Sequence, residues 1–400
     1  MPASYIDPVI ASRIRAAWGN LAPDVRTRIT ARLNAKRVAK GFQQPVPLQE
    51  LVTLDAAVGA VAVPKVALTS QVDSSGEIWG TGRYEHLDPG WAESIACWLE
   101  TMHDHHPFNT AAQVIQIPDT VKIAIAGDWG CGDWRDAGNP APSTRVAAQM
   151  AALKPDLTVH LGDEYYAGTA DEEKHLFAAL WPQGRLGSFA MQSNHGMYSG
   201  GYGYYDVTLD HPAFRLQRGC SFFALENSNW VIVGLDSAYY ADPEGLYMDG
   251  TLRGNGYPDF QSEFLREQVA KGKKAVVLTH HNGLSDDGMT LNDFGAQVMS
   301  FTARLPVQTS YWYWGHSHFA AVYKQDGAEP FCRCVGHGGV PYGVASVLES
   351  SAVEWYEKRL ANDPEIPQRV MNGFCQVALD GPNIVETFYD EQGGIAWQSK

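Results

Sequence analysis

Cysteine is scarce in this chain, six among 400 residues. That density excludes a small disulfide-stapled scaffold, and no pairs stand at the spacing of a zinc knuckle. Reduced and mostly buried thiols are expected, Cys332 and Cys334 included. Basic charge is also in short supply. Lysine and arginine number 30 against 45 aspartates and glutamates, a net charge of −15 at neutral pH. A nucleic-acid surface needs a basic footprint, so that partner class is excluded. The same sign repels anions at long range, so a phosphate-handling site would need local positive charge from metals. No apolar run approaches the roughly 20 residues of a membrane span. The start, Met1 to Asp7, lacks the basic stretch and apolar segment of a secretory signal, and the cytoplasm is the expected location. Internal repeats and low-complexity tracts are missing as well.

Hydrophobic residues make up 45% and charged residues 19%, which predicts a packed core. The length suits one large domain plus an extension, or two domains. Residues 1–118 read as a mainly helical N-terminal extension of unknown role. Asp7-Pro8 opens a helical pattern through Trp18. Pro23 opens a second, with Val25, Ile29 and Leu33 on one face, ending near Gly41. Pro45 to Pro64 is mixed and apolar, and Trp91 to His103 is a third helical stretch. Residues 119–400 read differently. Apolar runs alternate with helical segments such as the one opening near Ser143, taken as its N-cap, which predicts a right-handed βαβ crossover. The tail, Phe374 to Leu379 and Ile384 to Tyr389 about Asp380-Gly381, reads as an antiparallel hairpin. Together these predict an α/β protein with two packed sheets and helices outside.

Five apolar runs end in groups that can bind a metal. They lead to Asp128, to Asp163 with Tyr166 three residues on, to Asn194-His195, to His280-His281, and to His316 and His318. A buried strand that stops at such a group places it at the rim of the sheet, where open α/β sheets bind ligands. Several ends converging would build a site for hard and borderline cations.

Written out, the ends are Gly127-Asp128-Trp129-Gly130, Gly162-Asp163-Glu164-Tyr165-Tyr166, Asn194-His195, Val277-Leu278-Thr279-His280 and Gly315-His316-Ser317-His318. Their order resembles the calcineurin-like metallophosphoesterase superfamily, and within it the purple acid phosphatase type, which carries GDxG, GDxxY, GNHx, VxxH and GHxH. The resemblance covers about residues 119 to 395. It implies a sandwich of two mixed β-sheets flanked by helices (αββα) with a binuclear metal centre. The first metal would take Asp128, Asp163, Tyr166 and His318, and the second Asp163, Asn194, His280 and His316, with Asp163 as bridge. A phenolate favours iron at the first site, and the second would hold iron, manganese or zinc. Tyr165 is the alternative to Tyr166, and His281 the alternative to His280.

The resemblance assigns His195 to the leaving group, where an imidazolium could donate a proton. Ser193 and Gly196 depart from the pattern around it, so its orienting partner is open. Tyr198, Tyr202, His281 and His337 are candidates for the substrate-facing rim. Water activated by two cations would then attack a small phosphomonoester. The alternatives are a phosphodiesterase or nucleotide pyrophosphatase on the same site, and a metal-binding scaffold whose catalysis has decayed. The sequence names neither the substrate nor the oligomeric state.

Overall fold

The structure, a computed structural model, describes residues 7–39, 71–253, 259–302, 309–325 and 330–399. The apolar stretch Pro45 to Pro64 lies outside the described residues. Two large mixed sheets pack face to face. The first runs in the order Ile395–Gln398, Asn383–Asp390, Gly373–Asp380, Thr120–Ala126, Leu157–His160, Gly187–Ala190. Its last three strands are parallel, and the tail hairpin adds to Thr120–Ala126 antiparallel. The second has eight strands, in the order Val353–Tyr356, Ala320–Tyr323, Phe331–Val335, Thr309–Trp314, Lys274–Thr279, Trp230–Gly234, Phe223–Glu226, Gln113–Gln116. The central neighbours Trp230–Gly234, Lys274–Thr279 and Thr309–Trp314 are parallel.

The strands read as near-continuous apolar runs because both faces of each sheet are covered. Val121, Ile123 and Ile125 of one sheet meet Ile232, Val276 and Leu278 of the other in the interior of the sandwich. On the outer face of the second sheet, Leu265 and Val269 of the helix Phe260–Val269 and Phe294 and Val298 of Asp293–Thr302 close the layer. The helix Pro142–Ala152 does the same outside the first sheet through Val146 and Met150. This is the expected αββα order. Ser143 is not the cap of that helix. Proline, which needs no hydrogen-bond acceptor, opens it at residue 142, and the Ser143 hydroxyl donates to the Gly132 carbonyl at 2.5 Å. The six cysteines are buried and free.

The N-terminal helices are present. Asp7 caps Pro8–Asn20 by accepting from the Val9 N–H, and the second helix runs Pro23–Ala39. Ile14, Trp18 and Ile29 pack with Trp98 of the helix Trp91–Thr101 and with Met197, Tyr198 and Tyr247. Gln113–Gln116 is the edge strand of the eight-stranded sheet, paired with Phe223–Glu226. Between them, residues 71–91 form a small hairpin and a loop that reach the carboxyl ends of the central strands. No described helix is long and apolar enough to cross a membrane.

Candidate metal centre

The five strand ends meet on one rim, where the carboxyl ends of both sheets come together. Gly127 N–H donates across the seam to Val335, while Asp128 N–H to Gly162 and Gly315 N–H to His280 extend the pairing within each sheet. Asp128, Asp163 and His316 all adopt left-handed backbone, with φ of 55°, 76° and 66°. That conformation costs a non-glycine residue roughly 1–2 kcal/mol and is held by its surroundings. It turns each side chain off the line of its strand and into the seam. The motif glycines are steric. Gly162 has φ 103°, and a Cβ there would sit 2.7 Å from His280 Nδ1. A Cβ on Gly315 would sit 2.6 Å from Asp128 Oδ2.

Two constellations result, sharing one residue. In the first, the Tyr165 hydroxyl lies 3.0 Å from Asp163 Oδ2, 3.3 Å from Asp128 Oδ1 and 3.1 Å from His318 Nε2. In the second, His280 Nε2 lies 2.8 Å from Asn194 Oδ1 and 3.3 Å from Asp163 Oδ1, and His316 Nδ1 lies 3.2 Å from both His280 Nε2 and Asn194 Oδ1. Each Asp163 oxygen therefore faces a different constellation.

The donor chemistry of the second group fits a cation. His280 Nδ1 donates to the Leu161 carbonyl at 2.8 Å, which leaves Nε2 as a lone pair. Asn194 donates through Nδ2 to the Tyr198 hydroxyl at 3.2 Å, which turns Oδ1 inward. Asp163 Oδ1 is buried with no hydrogen-bond partner. Acceptors from His280, Asn194 and Asp163 thus converge, an arrangement that a cation relieves. Burial lowers the pKa of His280 and His316, and that of His318 to about 4, so all three imidazoles are neutral and ready to ligate. Burial, reinforced by Asp163, pushes the Asp128 carboxyl well up. For Asp163 burial also opposes ionisation, but its interactions with His280, His195 and His316 outweigh burial and hold the carboxyl below its usual range. Without a cation the two neighbouring carboxyls do not both carry charge.

Asp128, Asp163, Asn194, His280, His316 and His318 are brought together. Tyr166 is not: the Tyr165 hydroxyl lies among them in its place. The Tyr166 hydroxyl donates to Asp88 and its N–H to Glu172, so the ring stays outside the cluster. His281 is no rim residue: it is 1% exposed, with Nδ1 2.8 Å from the Ser237 hydroxyl and Nε2 2.8 Å from the Tyr247 carbonyl. His337 is buried and stacks on Phe388 at 6.1 Å, and burial takes its pKa down to about 3. Tyr202 faces solvent, with its hydroxyl donating to Asp104 at 3.0 Å, and Tyr198 is buried beneath Asn194 rather than at the rim.

His195 lines a cavity of about 350 Å³ together with Asp163, Asn194, His316 and His318. Its Nδ1 lies 2.6 Å from the Tyr166 carbonyl. That carbonyl supplies the orienting acceptor that Gly196 cannot, and Ser193 caps the turn by accepting from the Gly196 N–H at 3.1 Å. The opposite wall comes from residues 75–91, including Glu77, Tyr84, His86 and Trp91, for which the sequence suggested no role. The signal available was the turn Asp73-Ser74-Ser75-Gly76, whose Asp73 carboxylate accepts from the N–H groups of Ser75 and Glu77 and from Trp79 Nε1.

The sequence model of the calcineurin-like phosphoesterase family matches residues 121–320. No curated protein matches the chain. Among solved structures, a purple acid phosphatase from yellow lupin (Lupinus luteus) seeds aligns with a TM-score of 0.50 at 14% identity, covering 73% of this chain and 54% of that one. This chain therefore spans about half the length of the lupin protein, and the likeness is one of fold. GAP50, the anchor in the inner membrane complex of Plasmodium, aligns at 0.48 and 14% identity over 70% of this chain and 88% of that one. A dimetal phosphatase from Danio rerio aligns at 0.43 and 12% identity over 68% and 96%.

Proposed function

Because the chain belongs to the calcineurin-like phosphoesterase family, we propose that it is a metal-dependent hydrolase of a small phosphomonoester. The observation that carries this reading is the placement of Asp163, with Oδ1 3.3 Å from His280 Nε2 and Oδ2 3.0 Å from the Tyr165 hydroxyl, between two groups of ligand-type side chains. Asp128, Asp163, His318 and Tyr165 would hold the first cation, which a phenol donor suits to iron. Asp163, Asn194, His280 and His316 would hold the second, as iron, manganese or zinc. Two cations, when bound, activate water at neutral pH and neutralise phosphoryl oxygens.

The remaining residues orient and exclude. His195 directs Nδ1–H to the Tyr166 carbonyl, which leaves Nε2 for the substrate. In its protonated form it gives its proton to the leaving oxygen, a contribution of roughly 10²–10⁴-fold in such enzymes. Tyr198 fixes the Asn194 amide so that oxygen, not nitrogen, faces the centre. Trp91, with its ring 5.6 Å from that of His195, covers the imidazole on the cavity side.

The test is hydrolysis of 4-nitrophenyl phosphate before and after chelation. Turnover that disappears with chelator and returns with added iron and manganese or zinc is expected. Turnover unaffected by complete metal removal overturns the reading. Bis(4-nitrophenyl) phosphate run alongside should be the poorer substrate.

A further inference from the structure

The cavity beside the centre has an unusual wall for a phosphate-handling site. Among the described residues that line it there is no lysine or arginine. Apart from Asp163 of the centre, two carboxylates line it instead, Glu77 and Asp286. Glu77 accepts from His86 Nδ1 at 2.9 Å, and Asp286 Oδ1 accepts from the Ser317 hydroxyl at 3.0 Å, between the two histidines of the Gly315–His318 motif. The half-buried indole of Trp91 lines the same cavity. The wall is built rather than draped. Asp73 fixes the turn from within, and Gly343 N–H and Val347 N–H donate to the carbonyls of Gly76 and Ser74.

A substrate's phosphoryl group would meet the cations, and the rest of it would lie against this acidic and aromatic wall. Further phosphates there would face two carboxylates and, among the described residues that line the cavity, no side-chain cation beyond histidine, inside a chain of net charge −15. An ammonium would meet complementary charge and an aromatic face. Resting on the hydrolase reading above, we propose that the cavity selects phosphomonoesters of amino alcohols, with the cationic nitrogen held by Glu77, Asp286 and Trp91, and rejects polyphosphates. Water adds to phosphorus, the bond from phosphorus to the amino-alcohol oxygen breaks, and His195 supplies the proton for that oxygen. The products are inorganic phosphate and the free amino alcohol.

Two measurements test this separately from the hydrolase reading. The first is calorimetric binding of choline to the metal-free protein, which needs no turnover. Saturable binding is expected, weakened about tenfold by Glu77→Gln or by Asp286→Asn. The second is the ratio of kcat/KM for phosphocholine over its uncharged isostere 3,3-dimethylbutyl phosphate, with ATP as the polyanionic comparison. The ratio should be about ten or more and fall toward one in Glu77→Gln, with ATP the poorest of the three. Choline binding without hydrolysis of any phosphoester, 4-nitrophenyl phosphate included, would sink the hydrolase reading and leave the cationic pocket standing. Hydrolysis of 4-nitrophenyl phosphate with no choline binding and a ratio near one would overturn the pocket and leave the hydrolase reading standing.

Discussion

The hydroxyls of Tyr165 and Tyr166 finish in opposite surroundings. Tyr165 points among Asp128, Asp163 and His318, and burial with two carboxyl neighbours keeps its phenol protonated well above the ordinary tyrosine range. A cation in the same place would reverse that balance, as metal charge does for any coordinated acid. Loaded with ferric ion, the protein should show a visible tyrosinate-to-iron band that Tyr165→Phe abolishes and Tyr166→Phe leaves in place. The reverse pattern in absorption spectra would return the ligand role to Tyr166. Motif spacing brought Asp128, Asp163, Asn194, His280, His316 and His318 into view because each follows an apolar run that must end at the rim. Spacing could not separate two adjacent tyrosines. That choice is made by Asp88 and Glu172, one of them far away in the chain, which hold Tyr166 outside. His281 was opaque for the same reason, since Ser237 and Tyr247 occupy both of its ring nitrogens.

The two sheets are joined by charge as well as by apolar packing. Arg333, on Phe331–Val335 of the eight-stranded sheet, donates from Nε and from a terminal nitrogen to the two Glu386 oxygens at 2.8 and 2.9 Å. Glu386 lies on Asn383–Asp390 of the other sheet and also accepts from the Tyr313 hydroxyl at 2.7 Å. Both charged residues are nearly inaccessible, at 3% and 1%. Removing one partner strands the other's charge, so Arg333→Met should cost about 3–5 kcal/mol in urea unfolding. Arg333→Met with Glu386→Leu should recover most of that loss, and a double variant as unstable as the single one would contradict the account. The central strands Thr120–Ala126, Leu157–His160, Trp230–Gly234, Lys274–Thr279 and Thr309–Trp314 and the tail hairpin were legible because their apolar patterns are strong. The segment 71–91 was not, because its two-residue strands carry no period and its shape is set by Asp73 and by docking on residues 343–347. Gln113–Gln116 was hidden likewise: as a short edge strand it buries neither face fully.

For the molecule as a whole, acid should act in two stages. His337 titrates at about 3 when folded, because burial disfavours its charged form, against about 6.5 for a free imidazole. The unfolded chain therefore binds the extra proton between those values, and stability falls as pH drops through that window. Asp363 follows at lower pH. Burial alone would raise its pKa, but the hydrogen bond from Arg135 and the charge of Arg369 outweigh burial and bring it to about 2. Its contribution is complete above the ordinary carboxyl value of 3.8 and is lost as pH falls through about 2. Urea midpoints measured against pH should decline less steeply in His337→Asn than in the parent between pH 6.5 and 4, and parallel curves would remove His337 from the explanation. The net charge, the lack of lysine and arginine among the described residues that line the cavity, and the family fold all set a cation-bearing rim at the centre of the account. Metal stoichiometry joined to turnover tests that centre most directly. The parent should hold about two cations per chain and hydrolyse 4-nitrophenyl phosphate, while Asp163→Asn, folded by circular dichroism, should lose at least one cation and nearly all turnover. Full metal content and full turnover in Asp163→Asn would contradict the shared-carboxylate centre.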